Sequence, residues 1–409
     1  MTTYEMNPSL REDILRAIEF NYNGIYKKGS YINDIECPSC EKKEAFTNHN
    51  NPWVIKCGRS NNCGETHHAK DLFKHLFESW TERYEPKTEA EKLKNPTAVA
   101  DGYLKDGRGF DLINVRGWYT QEYFFKSDIN EGSTTVRFPM PNGYWERVLD
   151  KPQRFGKQKA RIVGSNKGLV WQAPIFSLKE LSECDEIYIT EGIFDAISWI
   201  HADKVAVSNL SSGNYPNLFL SNLLKQCPQG KRPTLVWAQD GDRAGSKAIL
   251  KFVALAEKDG WTCRAAQPPA ERNNYDWNDL HQLKRMGEKD IDLYLHLGDL
   301  LLAPNASEKA LLMYTRQERR EFWFTYDSRL YWFKLDMDAY DREVQSFEIP
   351  ESGLTPAQRE QALKRAGMVT CICNAIPMPL YFQSNYVTDE SWYYFSIESQ
   401  DGKITKQPF

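Results

Sequence analysis

Six acidic residues in this sequence stand just past short apolar segments, most of them beside a glycine or at a helix start. Glu191-Gly192 follows Ile187-Tyr-Ile-Thr190, and Asp195 comes four residues after Glu191. Asp240-Gly241-Asp242 follows Leu235-Val-Trp-Ala238, and Asp276-Trp277-Asn278-Asp279 follows Thr262-Cys-Arg-Ala-Ala266. Carboxylates this close repel one another unless a cation sits among them. Mg²⁺ or Mn²⁺ is the natural counterion, being hard, oxygen-seeking and suited to phosphate chemistry. The competing reading is local: Asp before a helix is a good N-cap, and Asp-Gly marks turns.

The elements around these residues decide how they meet. From Glu186 onward short apolar strands alternate with helical segments, which predicts a parallel sheet covered on both faces. All strands of such a sheet point the same way, so residues just beyond their carboxyl ends gather at one edge, where open α/β sheets place their sites. Glycine there permits close approach of the backbone. Upstream, residues 103–178 read as β-like, with strands such as Thr134–Met140 and Tyr144–Leu149. The segment from Arg147 to Lys167 is basic, carrying Arg147, Lys151, Arg154, Lys157, Lys159, Arg161 and Lys167. These cations, with Trp145, Phe155 and Trp171, are suited to tracking a phosphate backbone and stacking on bases; a solvated hairpin is the plainer alternative. The last hundred residues are aromatic-rich and mostly strand-like.

Four of the nine cysteines form two pairs, Cys37-x₂-Cys40 and Cys57-x₅-Cys63. Two thiolate pairs on facing turns suit a closed tetrahedral Zn²⁺ site. The second spacing is wide, so His67 or His68 in place of one cysteine stays open. An odd cysteine count with no secretory signal argues against a disulfide scaffold, and we expect a cytoplasmic protein. No apolar run approaches a membrane span, so no membrane partner is expected. With 409 residues and a formal net charge of −4, the chain has room for several domains, and any nucleic-acid contact must rest on local basic patches.

The run Glu191-Gly-x-x-Asp195, then Ser208-Asn-Leu-Ser-Ser-Gly-Asn214, then Asp240-Gly-Asp242-Arg-Ala-Gly245 resembles the Toprim domain of bacterial primases, topoisomerases and some nucleases. With the cysteine pairs ahead of it, the chain is similar to bacterial and phage-type DNA primases, including the primase part of primase–helicases. The resemblance implies an α/β multi-domain fold: a zinc-ribbon domain (1–80), a linker (81–100), a basic mixed α+β subdomain (101–182), a Toprim parallel α/β domain (183–299) and a mostly β C-terminal region (300–409). It also implies an acid–base role for Glu191 and catalytic metals on Asp195, Asp240 and Asp242, joined by Asp276 and Asp279. The family's usual Asp-Pro-Asp-Glu reads Asp276-Trp-Asn-Asp279 here, so Asn278 stands where one metal-binding aspartate is expected. Structural Zn²⁺ on Cys37, Cys40, Cys57 and Cys63 follows from the same likeness. So do Arg147, Lys157, Lys159 and Arg161 as holders of a single-stranded DNA template and ribonucleoside triphosphates. The implied activity is nucleotidyl transfer, the making of short RNA primers, with a replicative helicase as partner in cis or in trans. A Toprim nuclease and a catalytically degenerate, zinc-containing DNA-binding replication protein are the rival readings. No nucleotide-binding GxxxxGK[ST] loop is present, so the chain carries no ATPase motor of that type.

Overall fold

Buried apolar strands flanked by turns set the architecture of this computed structural model. It describes residues 8–24, 26–77, 79–127, 130–228, 231–269, 275–327, 329–373, 381–385, 390–398 and 404–408. Two compact units are present, residues 1–295 and 296–409.

The first unit begins with a helix, Pro8–Tyr22, whose Ile14 and Ile18 are fully buried. Those two side chains pack with Ile32, Ile35 and Ile55 on a five-stranded antiparallel sheet. The strands are β1 (Tyr26–Lys28), β2 (Tyr31–Ile35), β3 (Ala45–Asn48), β4 (Val54–Cys57) and β5 (Thr66–His68). Short helices follow between Ala69 and Val115. A four-stranded antiparallel sheet comes next: β6 (Thr120–Lys126), β7 (Glu131–Met140), β8 (Gly143–Val148) and β9 (Ala160–Val163).

The alternating segment forms β10 (Trp171–Gln172), β11 (Glu186–Thr190), β12 (Ala206–Ser208), β13 (Thr234–Ala238) and β14 (Cys263–Ala265), in the order β10-β12-β11-β13-β14. β11 to β14 are parallel, as the strand–helix alternation predicts, and β10 adds an antiparallel edge. The last four residues of both β11 and β13 are buried, which is why these strands read as unbroken apolar runs. One core joins the two sheets: Val136 and Phe138 from β7 cluster with Trp171, Tyr188, Phe194, Val236 and Trp277. The basic strands are therefore fixed against the acidic loops by shared packing.

The second unit holds an antiparallel sheet of β15 (Glu321–Tyr326), β16 (Arg329–Leu335) and β17 (Gly367–Cys373), then a further one of β18 (Tyr381–Asn385), β19 (Glu390–Glu398) and β20 (Ile404–Pro408). Three helices, Ala306–Gln317, Met337–Ser346 and Pro356–Ala366, also belong to it, although the aromatic strands dominate its sequence pattern. They cover Phe322, Phe324 and Phe333 on one face of the first sheet. Among the described residues, no helix is long and apolar enough to cross a membrane.

Candidate active site

The register of β11 on β13 pairs Thr190 with Ala238, so the residues after them leave the sheet side by side. Gln239 locks these two ends together. It is fully buried, and its Nε2 donates to the Ile189 carbonyl at 2.9 Å. After β11, the helix Ile193–His201 starts at Gly192, whose N–H donates to Asp195 Oδ2 at 3.2 Å. After β13, Asp242 caps the helix Arg243–Lys258 by accepting the Gly245 N–H at 2.7 Å. Gly245 is needed for close approach, since a Cβ there would lie 2.0 Å from the Asp240 carbonyl oxygen. In the third loop Asp276 caps the helix Trp277–Gln282, and Asp279 Oδ2 accepts the Asp276 N–H in return at 3.3 Å. The Asn278 N–H donates to Asp195 Oδ1 at 3.2 Å and ties the third loop to the first.

Asp242 and Asp276 thus do cap helices. Capping uses one oxygen of each and leaves their charge in the rim. Asp240 differs: its Oδ1 is buried with no hydrogen-bond partner, an arrangement that costs free energy unless something positive is met there. Burial, then the charges of Glu191, Asp276, Asp242 and Asp279, pushes the Asp240 carboxyl up to about 7. Burial and the neighbouring Asp276 raise Asp279 to about 6. Asp195 is raised well above the usual carboxylate range by burial, then by Asp276 and Asp240. A divalent cation fits such a rim, because it relieves the repulsion and satisfies the orphaned oxygen together. Among the described residues, the four cysteines are the only set of three or more ligand groups mutually within 4.8 Å. The rim carboxylates do not form such a set, and a Mg²⁺ ion held there would keep several of its waters and take few protein ligands directly.

A basic pocket borders the rim. Its main member, Arg108, is legible in the sequence only as an arginine between two glycines. Arg108 donates from Nε and Nη2 to the Tyr103 hydroxyl at 2.9 and 2.7 Å, and from Nη1 to Asn278 Oδ1 at 3.2 Å. Its guanidinium lies 4.5 Å from the centre of the Phe194 ring. Arg147, on β8, has a buried Nε without a hydrogen-bond partner and is held below its ordinary value by burial. Lys159 is exposed, one residue before β9. Arg161 is engaged elsewhere: its Nε donates to the buried Glu146 at 2.7 Å, which Arg137 also contacts at 3.0 Å. The side chain of Lys157 lies outside the described residues. Phe155 and Trp171 are core residues, 2% and 1% exposed, and are not open to stacking on bases.

Asn278 is engaged by protein partners on both sides of its amide. It is 1% exposed, and its Nδ2 donates to the Arg108 carbonyl at 3.0 Å and to Ser198 Oγ at 3.2 Å. The amide clips Arg108 to the third loop, a task that an aspartate, with no N–H, could not perform.

In the N-terminal segment, Cys37, Cys40, Cys57 and Cys63 bring their sulfurs within 4.8 Å of one another. Cys37 to Cys63 and Cys40 to Cys57 each measure 3.9 Å. Tetrahedral zinc–thiolate bonds place sulfurs about 3.8 Å apart, so the cluster fits a structural zinc. The Lys42 N–H pulls the Cys40 thiol down to about 7, while burial pushes Cys37 up. His67 lies outside the set, with Nε2 at 3.2 Å from Ser39 Oγ.

Residues 188–281 match a family model described as Toprim-like. No curated protein matches the chain. Among solved structures, the chain is similar to the zinc-binding and RNA polymerase domains of Aquifex aeolicus primase, with 16% identity over 76% of this chain and 97% of that one and a TM-score of 0.31. It is also similar to the RNA polymerase domain of Mycobacterium tuberculosis primase DnaG, with 17% identity, 61% and 90% coverage and a TM-score of 0.37. The primase domains of bacteriophage T7 gp4 align with 13% identity over 46% of this chain and 95% of that one, with a TM-score of 0.25. Residues 188–281 are thus Toprim-like, and a four-cysteine cluster precedes them near the N-terminus.

Proposed function

We propose that this chain is a DNA-dependent RNA primase, which makes short oligoribonucleotides on a single-stranded DNA template by metal-assisted nucleotidyl transfer at the acidic rim. The observation that carries the reading is Asp240, a buried carboxylate with an unpartnered oxygen, set among Glu191, Asp242, Asp276 and Asp279 and next to a pocket of two arginines. That juxtaposition of acidic and basic halves matches what a metal–polyphosphate ligand needs.

In this reading Asp240 and Asp242 would hold Mg²⁺ or Mn²⁺, with Glu191, Asp276 and Asp279 adding charge and Asp195 holding the loops from behind. A bound divalent ion supplies charge neutralisation for the attacking and leaving oxygens. Glu191 moves the proton of the attacking hydroxyl, Arg108 and Arg147 neutralise the polyphosphate, and Lys159 steers the template or the nucleotide. The zinc-ribbon segment assists template choice, and a replicative helicase in cis or in trans is the partner this activity calls for.

A Toprim nuclease would use the same rim to cut DNA, and a degenerate relative would bind DNA without chemistry. Incubating the chain with single-stranded DNA, labelled ribonucleotides and Mg²⁺ or Mn²⁺ separates the three. New labelled oligoribonucleotides support the primase, shortened DNA supports the nuclease, and binding without either product supports the third.

A further inference from the structure

The helix Pro8–Tyr22 has two working faces. Ile14 and Ile18 bury one of them in the core of the zinc-binding segment. The other carries Asp13, Arg16 and Glu19 on successive turns, and all three are directed at the rim and its pocket. Arg16 Nη1 stands 3.9 Å from Asp279 Oδ1. Glu19 Oε1 accepts from the Tyr275 hydroxyl at 2.6 Å, one residue before Asp276. Burial holds the Asp13 carboxyl above the usual carboxylate range, against the opposing pull of Arg16 and of Arg108, Arg147 and Lys159, the cations of the basic pocket. The helix therefore sets an anion against the basic half of the site and a cation against the acidic half.

A metal–polyphosphate complex has the same charge pattern: phosphate oxygens for Arg108 and Arg147, a cation for the carboxylates. We propose that the Asp13–Arg16–Glu19 face of this helix is a built-in competitor for the site, which divalent metal and nucleoside triphosphate must displace on binding. The inference rests on the reading of the rim as a metal and nucleotide site.

The contacts have the strength that a displaceable cover requires. The Arg16 side chain is 59% exposed and its ion pair is long. A long pair with one solvent-exposed partner is weaker than the charge-assisted arginine–phosphate pairing and metal coordination that would replace it. The helix itself stays anchored, because Ile14 and Ile18 are fully buried in the core of the zinc-binding segment.

The test uses the full zinc-loaded chain and titrates ATP with Mn²⁺ by calorimetry. The double variant Asp13→Ala/Arg16→Ala should bind about fivefold more tightly than the unaltered chain, the gain expected from removing weak competing ion pairs. Tyr275→Phe, which removes the Glu19 contact without touching either charge set, should tighten binding in the same direction by a smaller factor. Unchanged or weaker affinity in both variants, with zinc content and melting temperature preserved, overturns the proposal. Asp240→Asn is titrated in parallel. If it retains full affinity, the rim is not the nucleotide site, and the functional reading falls together with this inference. If it loses affinity while the helix variants gain none, only the competitor is refuted.

Discussion

Trp277 Nε1 donates to the Ala238 carbonyl at 2.9 Å, which ties the third acidic loop to the strand end that leads into Asp240. Trp277 is fully buried, so packing and hydrogen bond together set the spacing between Asp240 and the Asp276–Asp279 pair. Trp277→Phe keeps an aromatic ring and removes the bond. It should cost about 1 kcal/mol or somewhat more in thermal or urea unfolding. It should also weaken Mn²⁺-induced stabilisation, because the loops are no longer held in register. A variant that melts earlier but responds fully to Mn²⁺ would limit Trp277 to packing.

Asp242 serves two ends that one pair of substitutions can separate. Asn caps a helix about as well as Asp, whereas Ala costs about 1 kcal/mol. Asp242→Asn should leave stability near that of the parent chain while abolishing primer synthesis, since the cap to Gly245 survives and the charge does not. Asp242→Ala should lose both. Primer synthesis in the Asn variant at the parent rate would make Asp242 a cap alone.

The raised carboxyls predict how the metal-free protein responds to pH. Asp240 sits near 7 and Asp279 near 6 in the folded chain, both pushed up by burial and then by neighbouring carboxylates. Their ordinary unfolded values lie near 4. Below about pH 4 both states hold these protons, and the folded state keeps its full stability. As pH rises through the folded values, deprotonation exposes the repulsion and stability falls. Asp240→Asn should remove part of this decline, raising unfolding free energy at pH 8 by on the order of 2 kcal/mol with little change below pH 4. Denaturant unfolding across that range with chelator present tests it. A parent chain whose stability is flat from pH 4 to 8 would contradict the rim's electrostatics.

For the sulfur cluster we expect about one zinc per chain, retained through purification and released by denaturation, since a closed thiolate site contributes directly to folding. Cys63→Ser should reduce zinc content, while Cys184→Ser and His67→Ala should not, because neither residue belongs to the cluster. Elemental analysis settles each case. Full zinc content in Cys63→Ser would exclude the four-cysteine set.

Much of the rim is legible in the sequence because its parts are local. Glu191, Asp240 and Asp242 follow strands that are unbroken apolar runs, and a parallel sheet sends such strand ends to one edge. Arg108 is not legible in this way. Its partner Asn278 lies 170 residues away, and no spacing rule connects Gly-Arg-Gly to a loop at that distance. The basic segment shows the opposite failure. Arg161 sits in the expected cluster, yet Glu146, buried on the facing strand, takes its charge. A count of cations cannot reveal a pairing that depends on strand register. In the second unit, the helix Pro356–Ala366 has a readable start: Thr355 and Gln358 form a capping box, with Pro356 in the first turn. The neighbouring aromatic segments give the region its mostly strand-like pattern, which masks that helix.

Asp240 is the centre of the proposed site, so the most direct test compares the parent chain with Asp240→Asn in primer synthesis on single-stranded DNA, using labelled ribonucleotides and Mg²⁺ or Mn²⁺. Zinc content and melting temperature are measured on the same preparations to establish that the fold is intact. The parent should produce short labelled oligoribonucleotides that require divalent metal. The Asn variant should be well folded, at least as stable without metal, and reduced by about a thousandfold or more in product, the scale on which loss of preorganised charge at a reacting centre acts. Primer synthesis by the Asn variant at a rate close to the parent's would contradict the claim that this rim is the active site.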